Sequence, residues 1–237
     1  MKLTTDVFDR TQRGVAFRAA GTIGEIYLYD EIGPGGYSES AFVENIQALG
    51  DVSQINLFIN SPGGSVFSGW TMYEILNRHP ARINVYIDGH AASMASVLAM
   101  AGDRIEMAEN AWMMIHWPYD ANSDTADDSD KVLEKIAAQI ITAYAKRTRL
   151  SNRQIEVMMR ANGPQGTWMD AKEAVRRGFA DAIYAPLAVA ACSFDYTGLG
   201  FSGPPQPVAV APQTPPEPSL KDRLIDWGNF VRRGMRA

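Results

Sequence analysis

The sequence predicts an α/β fold built on parallel strands, and three observations carry that prediction. Short apolar runs alternate with stretches of helical periodicity in the order β-α-β-α-β-β, the pattern of parallel strands joined by right-handed crossovers. The run 54–60 sets Ile55, Leu57 and Ile59 on one face and Phe58 on the other, as expected of a strand covered on both sides. Glycine-bearing turns, Pro62-Gly63-Gly64 and Asp88-Gly89, punctuate the passage from strand to helix.

Residues 1–20 are polar and irregular and read as an N-terminal arm. The first strand covers 24–30, and Pro34-Gly35-Gly36 ends it. Phe42, Val43, Ile46 and Leu49 give helical spacing over 38–49. The strand 54–60 follows, then a helix over 66–77 carrying Trp70, Tyr73, Ile75 and Leu76. Ile83, Val85 and Ile87 alternate in a strand over 82–88, and 91–101 is a helix of small and apolar residues. Two short strands contain Ile105 with Met107 and residues 112–115. An acidic loop over 119–130 leads to a long helix over 131–148. Ser151 to Gln154 and Asp170 to Glu173 look like capping boxes that open two further helices, with Gly163 and Gly178 as their stops. Residues 179–184 return as a strand.

These elements place a folded domain at 21–195. A Pro/Gly-rich linker, 196–218, has a composition that builds no packed core. Residues 219–237 form a basic amphipathic segment with five basic side chains against two acidic ones. That segment reads either as a docking helix or as a marginal helix on a tether.

Composition narrows the function. The chain has 237 residues, 46% hydrophobic and 21% charged, as in a globular protein. A net charge of -5 leaves no basic surplus for phosphates, so a nucleic-acid partner is not expected. Cys192 is the only cysteine, which precludes an internal disulfide. No apolar run has membrane-spanning length and no signal-peptide core opens the chain, so a cytoplasmic protein without a membrane partner is expected. His79, His90 and His116 have no metal-ligand spacing, and neither a metal nor another cofactor is expected.

Three segments carry chemistry. Ser93 follows a turn and begins a helix, where unpaired backbone N–H groups lie close by. It reads as a helix cap or, if a base lies near, as a nucleophile. His116 follows the strand 112–115 and precedes Trp117-Pro118, at the mouth of the sheet. It could be a base or a satisfied strand-end histidine. His90 is a rival base that reads as a turn residue, and His79 looks structural. Gly63-Gly64 could aim backbone N–H groups at an oxyanion, or simply turn the chain. It matches neither a dinucleotide fingerprint nor a phosphate-binding loop.

Taken together, Ile59-Asn60-Ser61-Pro62-Gly63-Gly64, Ala91-Ala92-Ser93-Met94 and Met114-Ile115-His116-Trp117-Pro118 resemble, in order and spacing, the signature segments of the Clp protease proteolytic subunit family. Glu173-Ala174-Val175 with Gly178 and Asp181 resembles that family's closing helix and strand. The resemblance implies a crotonase-like fold, a spiral β-α-β core of stacked sheets framed by helices. It implies Ser93 as nucleophile, His116 as general base, and the N–H groups of Gly64 and Met94 as the oxyanion hole. It also implies a ring-forming homo-oligomer, heptameric or of stacked rings, with the helix 131–148 as the stacking element. Protein or peptide would be the substrate.

Two departures stand out. Counting back from Glu173, Gly166 occupies the position of the family's third catalytic residue, an aspartate, ahead of the aromatic Trp168. Asp170 is a nearby candidate acid, although its spacing to Glu173 favours a helix cap. A Ser–His dyad, or an acid from elsewhere, is the other possibility. The proline-rich linker and terminal segment extend the chain beyond the family's closing strand, and in this the sequence is similar to the Clp-related head maturation proteases of tailed bacteriophages. These observations point to a serine endopeptidase acting on scaffold or capsid proteins. Alternatives are a proteolytic chamber fed by an ATP-driven AAA+ unfoldase, a silent scaffold protein of the same fold, and a coenzyme-A-dependent crotonase enzyme.

Overall fold

Residues 14–119 and 126–185, with Tyr196, Gly203 and Pro204, are described by a computed structural model. The first 13 residues of the arm, Cys192, nearly all of the linker and the whole of 219–237 lie outside the described residues. Two strands open the fold, β1 (Gly14–Ala20) and β2 (Ile23–Tyr29). Helix α1 (Glu39–Ala48), strand β3 (Gln54–Ser61) and helix α2 (Val66–Arg78) follow. The centre of the chain holds β4 (Arg82–Ala92), α3 (Met94–Ala99), β5 (Arg104–Ala108) and β6 (Trp112–Ile115). Helices α4 (Ala126–Arg147) and α5 (Asn152–Arg160) lead through a 3₁₀ turn at Gly163–Gln165 to β7 (Thr167–Asp170), α6 (Ala171–Arg177) and β8 (Ala182–Tyr184).

The expected parallel pairing is present. Strands β2, β3, β4, β5 and β8 are parallel neighbours in that order, with β1 antiparallel at the edge. β4 is the pivot, because its first half pairs β5 through Asn84–Ile87 and its last three residues, 90–92, pair β6. β6 in turn pairs β7 antiparallel. The sheet therefore forks along β4, and the fork is where Ser93 and His116 come together.

One face is the core. Ile26, Leu28, Leu57, Ile59, Val85 and Ile87 are fully buried beneath Phe42 of α1, Met72 and Leu76 of α2, and all of α3. Each such aliphatic side chain contributes roughly 1.5–3 kcal/mol by leaving water. On the opposite face Phe58 stacks between Tyr27 and Tyr86, with ring centroids 4.6 and 5.1 Å apart.

Several boundaries differ from the sequence expectation: α4 starts at Ala126, inside the expected acidic loop, and α5 ends at Arg160, before Gly163. Part of the irregular arm is strand β1, which buries Phe17 against Tyr37 and Phe42. Strand β4 runs on through Asp88-Gly89-His90 to Ala92, where a turn was expected. Its register supports this: β3 advances from Ile59 to Ser61 while β4 advances from Ile87 to Ala91, so β4 bulges there and keeps pairing. The four residues of β7 were not expected as a strand and exist because β6 offers them an edge. Both helix caps hold. Ser151 and Gln154 form a reciprocal box, and Asp170 caps α6 while Gly178 ends it in the left-handed conformation.

Candidate active site

Ser93 stands between β4 and α3, with φ 53° and ψ −126°. Only it and Asn162 have positive φ among the described non-glycine residues. Such a conformation persists only where surroundings impose it. Here the Ser93 N–H donates to the Met114 carbonyl at 2.9 Å, tying the turn to β6. The Ser93 carbonyl accepts from the Ser96 N–H at 3.0 Å and from the Ser96 hydroxyl at 2.6 Å. The Ser93 side chain caps nothing on α3. Its Oγ lies 2.7 Å from Nε2 of His116. The cap reading of Ser93 is thus not what the geometry provides.

His116 directly follows β6 and is buried, with Tyr119 edge-on to its ring at 5.6 Å. Burial pulls its pKa down to about 4, against the backbone carbonyl of Pro164, which favours the protonated ring. Pro164 lies in the turn between α5 and β7. The same turn brings Gly166 against His116 with φ 57°. A Cβ at Gly166 would stand 2.5 Å from the His116 Cβ and collide with the Ile115 carbonyl oxygen. The position that the motif comparison gives to an acid therefore has no room for any side chain on this backbone.

Asp170 does not make good that loss. Its carboxylate accepts the Glu173 N–H at 2.7 Å as the cap of α6. It lies opposite Trp112, whereas Thr167 lies opposite Ile115. That places it roughly 13 Å along the ladder from His116. As third acid it is corrected to a helix cap.

His90 is likewise corrected, from turn residue to buried strand residue. Tyr196 Oη meets its Nε2 at 2.9 Å, and burial lowers its pKa to about 3. Tyr196 also packs, as Trp168 does, against the buried pair Ala92 and Met114. His79 ends α2 and accepts the Ala81 N–H through Nδ1 at 3.1 Å.

The glycine pair sits beside the serine. A Cβ at Gly63 would fall 2.6 Å from the Ala92 carbonyl oxygen, 2.8 Å from Ser93 Cβ and 2.9 Å from Met94 N, so only glycine permits this approach. Gly64 bridges Ile32 in parallel, with Ile32 N–H donating to the Gly63 carbonyl and Ser65 N–H to the Ile32 carbonyl. In that pattern the N–H of Gly64 itself points away from Ile32. Met94 opens α3, where a first-turn N–H has no partner within the helix. The arrangement thus offers a hydroxyl on an imidazole nitrogen, with two backbone donors in the adjoining segments.

Sequence reasoning missed Pro164, because a backbone carbonyl leaves no residue signature. It also passed over Ser96, a polar residue inside an otherwise apolar helix. Among the described residues no group of His, Cys, Asp or Glu could hold a metal ion, and no helix is long and apolar enough to cross a membrane. A groove of about 460 Å³ between α2 and α4, lined in part by Phe67, Trp70, Glu74 and Lys146, shares no residue with this site.

Comparison with known proteins gives concordant results. Residues 25–186 match the family model described as Clp protease. The ATP-dependent Clp protease proteolytic subunit of Lactococcus lactis is 28% identical over 144 residues, 58% of this chain and 71% of that protein. Proteolytic subunit 1 from Leifsonia xyli is 33% identical over 54% of this chain and 66% of its own length. Among solved structures, a ClpP1 mutant from Listeria monocytogenes superposes with a TM-score of 0.60 at 22% identity, covering 68% of this chain and 91% of that one.

Proposed function

Because the chain belongs to the Clp protease family, a family of peptidases, we propose that it is a serine endopeptidase of the proteolytic-subunit type. The observation that carries the serine assignment is the 2.7 Å contact between Ser93 Oγ and His116 Nε2, made by a serine in a conformation that few residues adopt.

In this reading the imidazole keeps a proton on the nitrogen facing Pro164, and its Nε2 lone pair takes the serine proton. Ser93 Oγ attacks the peptide carbonyl, and the oxyanion is received by the N–H groups of Gly64 and Met94. Collapse of the tetrahedral intermediate breaks the C–N bond, with the departing amine protonated by His116. Water, deprotonated by the same imidazole, then releases the acyl group and restores the serine. The low pKa of His116 supports this role, since the ring stays neutral well below pH 7. The Pro164 carbonyl favours the protonated ring, and Ser93 with His116 is the pair that this reading requires.

Two settings fit such an enzyme. The extension after the family's closing strand favours a head maturation protease of tailed bacteriophages, tethered to the particle whose scaffold or capsid proteins it cuts. The relatives are named as ATP-dependent proteolytic subunits, which favours a setting in which a partner unfoldase supplies the ATP-driven step. Hydrolysis of a fluorogenic peptide by the wild-type protein, and its loss in Ser93→Ala with melting temperature unchanged, tests the enzyme assignment. Equal turnover by both proteins would refute Ser93 as the nucleophile, and no turnover by either would leave the silent-scaffold reading. ATP-independent cleavage of a co-expressed scaffold protein would select the first setting, and strict dependence on an added unfoldase the second.

A further inference from the structure

Beside the site lies a buried polar chain that the proton-transfer scheme does not use. Ser96, one turn after Ser93, has no exposed surface, and its hydroxyl donates to the Ser93 carbonyl at 2.6 Å. A carbonyl oxygen can only accept, so the Ser96 hydroxyl hydrogen is committed there. The remaining contact of that hydroxyl is Tyr144 Oη on α4, at 2.8 Å. Tyr144 is therefore the donor. Burial holds its hydroxyl pKa well above the ordinary phenol value, so the proton stays on. Its ring is wedged edge-on against Phe179 at 5.4 Å. The result is a one-way relay, from α4 through Ser96 to the backbone of Ser93.

The target of that relay matters. The Ser93 carbonyl and the Met94 N–H belong to one peptide plane, and in a trans peptide they point in opposite directions. Pinning the carbonyl inward aims the N–H outward, toward the side where Gly63 and Ser93 Cβ lie. We propose that Tyr144 and Ser96 are positioning residues that orient the Ser93–Met94 peptide and so aim one of the two oxyanion donors. This rests on the serine endopeptidase reading and assigns α4 a share in its geometry. Buried hydroxyls in series polarise one another, so the two residues act as one unit. Because the oxyanion exists only after attack, the effect falls on kcat rather than on KM.

The test uses full-length Tyr144→Phe, Ser96→Ala and the double variant, each measured for kcat and KM on a short fluorogenic peptide, fluorophosphonate labelling rate and melting temperature. Each single change is expected to lower kcat and labelling by about tenfold with KM within about twofold. The double variant is expected to be no slower than Ser96→Ala alone. A melting temperature that falls while kcat stays constant would overturn the proposal, leaving the pair a packing feature. Fully additive losses in the double variant would overturn it too, because a relay has only one output. Wild-type protein that shows no Ser93-dependent turnover would overturn the enzyme reading and this inference with it. Wild-type turnover through Ser93, unchanged in both single variants, would overturn this inference alone.

Discussion

The two halves of the site are held in different ways. Ser93 is fastened by directional bonds: its N–H to Met114, its carbonyl to Ser96 twice, its Oγ to His116. His116 is buried, with Tyr119 edge-on to its ring and the turn of Pro164 and Gly166 packed against it. The serine side thus adds backbone bonds at both ends of the residue, whereas the histidine side adds burial to the contact the two share.

The largest effect separates chemistry from scaffolding. His116→Ala is expected to lower kcat/KM by about 10⁴-fold or more, with folding preserved, as removal of one member of a cooperating unit does. Steady-state peptide hydrolysis alongside circular dichroism checks it, and a loss under tenfold would show that the imidazole is not the base.

Gly166 sharpens the contrast. If the site merely lacked an acid, Gly166→Asp would raise activity. The packing predicts the reverse, since any Cβ there strikes the Ile115–His116 backbone at a φ unsuited to other residues. Gly166→Ala and Gly166→Asp should both lose about 2 kcal/mol or more of stability and about tenfold or more in kcat. A gain of activity in the aspartate variant would show that the turn yields to a carboxylate.

The pH profile reports enclosure directly. Desolvation lowers the pKa of His116 to about 4, and the proposed mechanism uses the neutral ring. The acid limb of kcat/KM is therefore expected near pH 4 rather than near the ordinary histidine value of 6.5. Stability has the matching sign. The folded pKa lies below the unfolded one, so the unfolded chain takes up protons first as pH falls. Stability is complete above about pH 6.5 and declines from there toward pH 4, and His90, lowered to about 3, extends the decline. Urea melts across that range, together with rates, would expose an ordinary solvated histidine if the limb stood near 6.5.

The smallest effect concerns Asp170. As a cap, its replacement by Ala should cost about 1 kcal/mol and leave kcat within about threefold. A loss of several orders of magnitude would return it to the catalytic unit.

Much of this was legible in the sequence, and the gaps have physical causes. The alternation Ile55-Leu57-Ile59 and Ile83-Val85-Ile87 fixed the central strands because burial on a sheet face imposes a period of two. Ser93, His116 and the glycine pair were legible through their order and spacing. The continuation of β4 through Asp88-Gly89-His90 was not, because a charge, a glycine and a histidine usually break a strand. Here distant groups satisfy them: Tyr29 and Tyr184 donate to Asp88, Asn60 fills the space beside Gly89, and Tyr196 meets His90. Those partners come from residues scattered from 29 to 196, which local pattern cannot bring together. The Pro164 carbonyl and the Tyr144–Ser96 chain escaped for the same reason, since their roles come from tertiary placement rather than residue type.

The most direct measurement is a crystal structure of the full chain after reaction with a small fluorophosphonate. A phosphorus bonded to Ser93 Oγ, with its oxygen within hydrogen-bond distance of the Gly64 and Met94 N–H groups and His116 still oriented by Pro164, is the expected result. Adduct on another residue, or unmodified protein with Ser93 and His116 drawn apart, would contradict it.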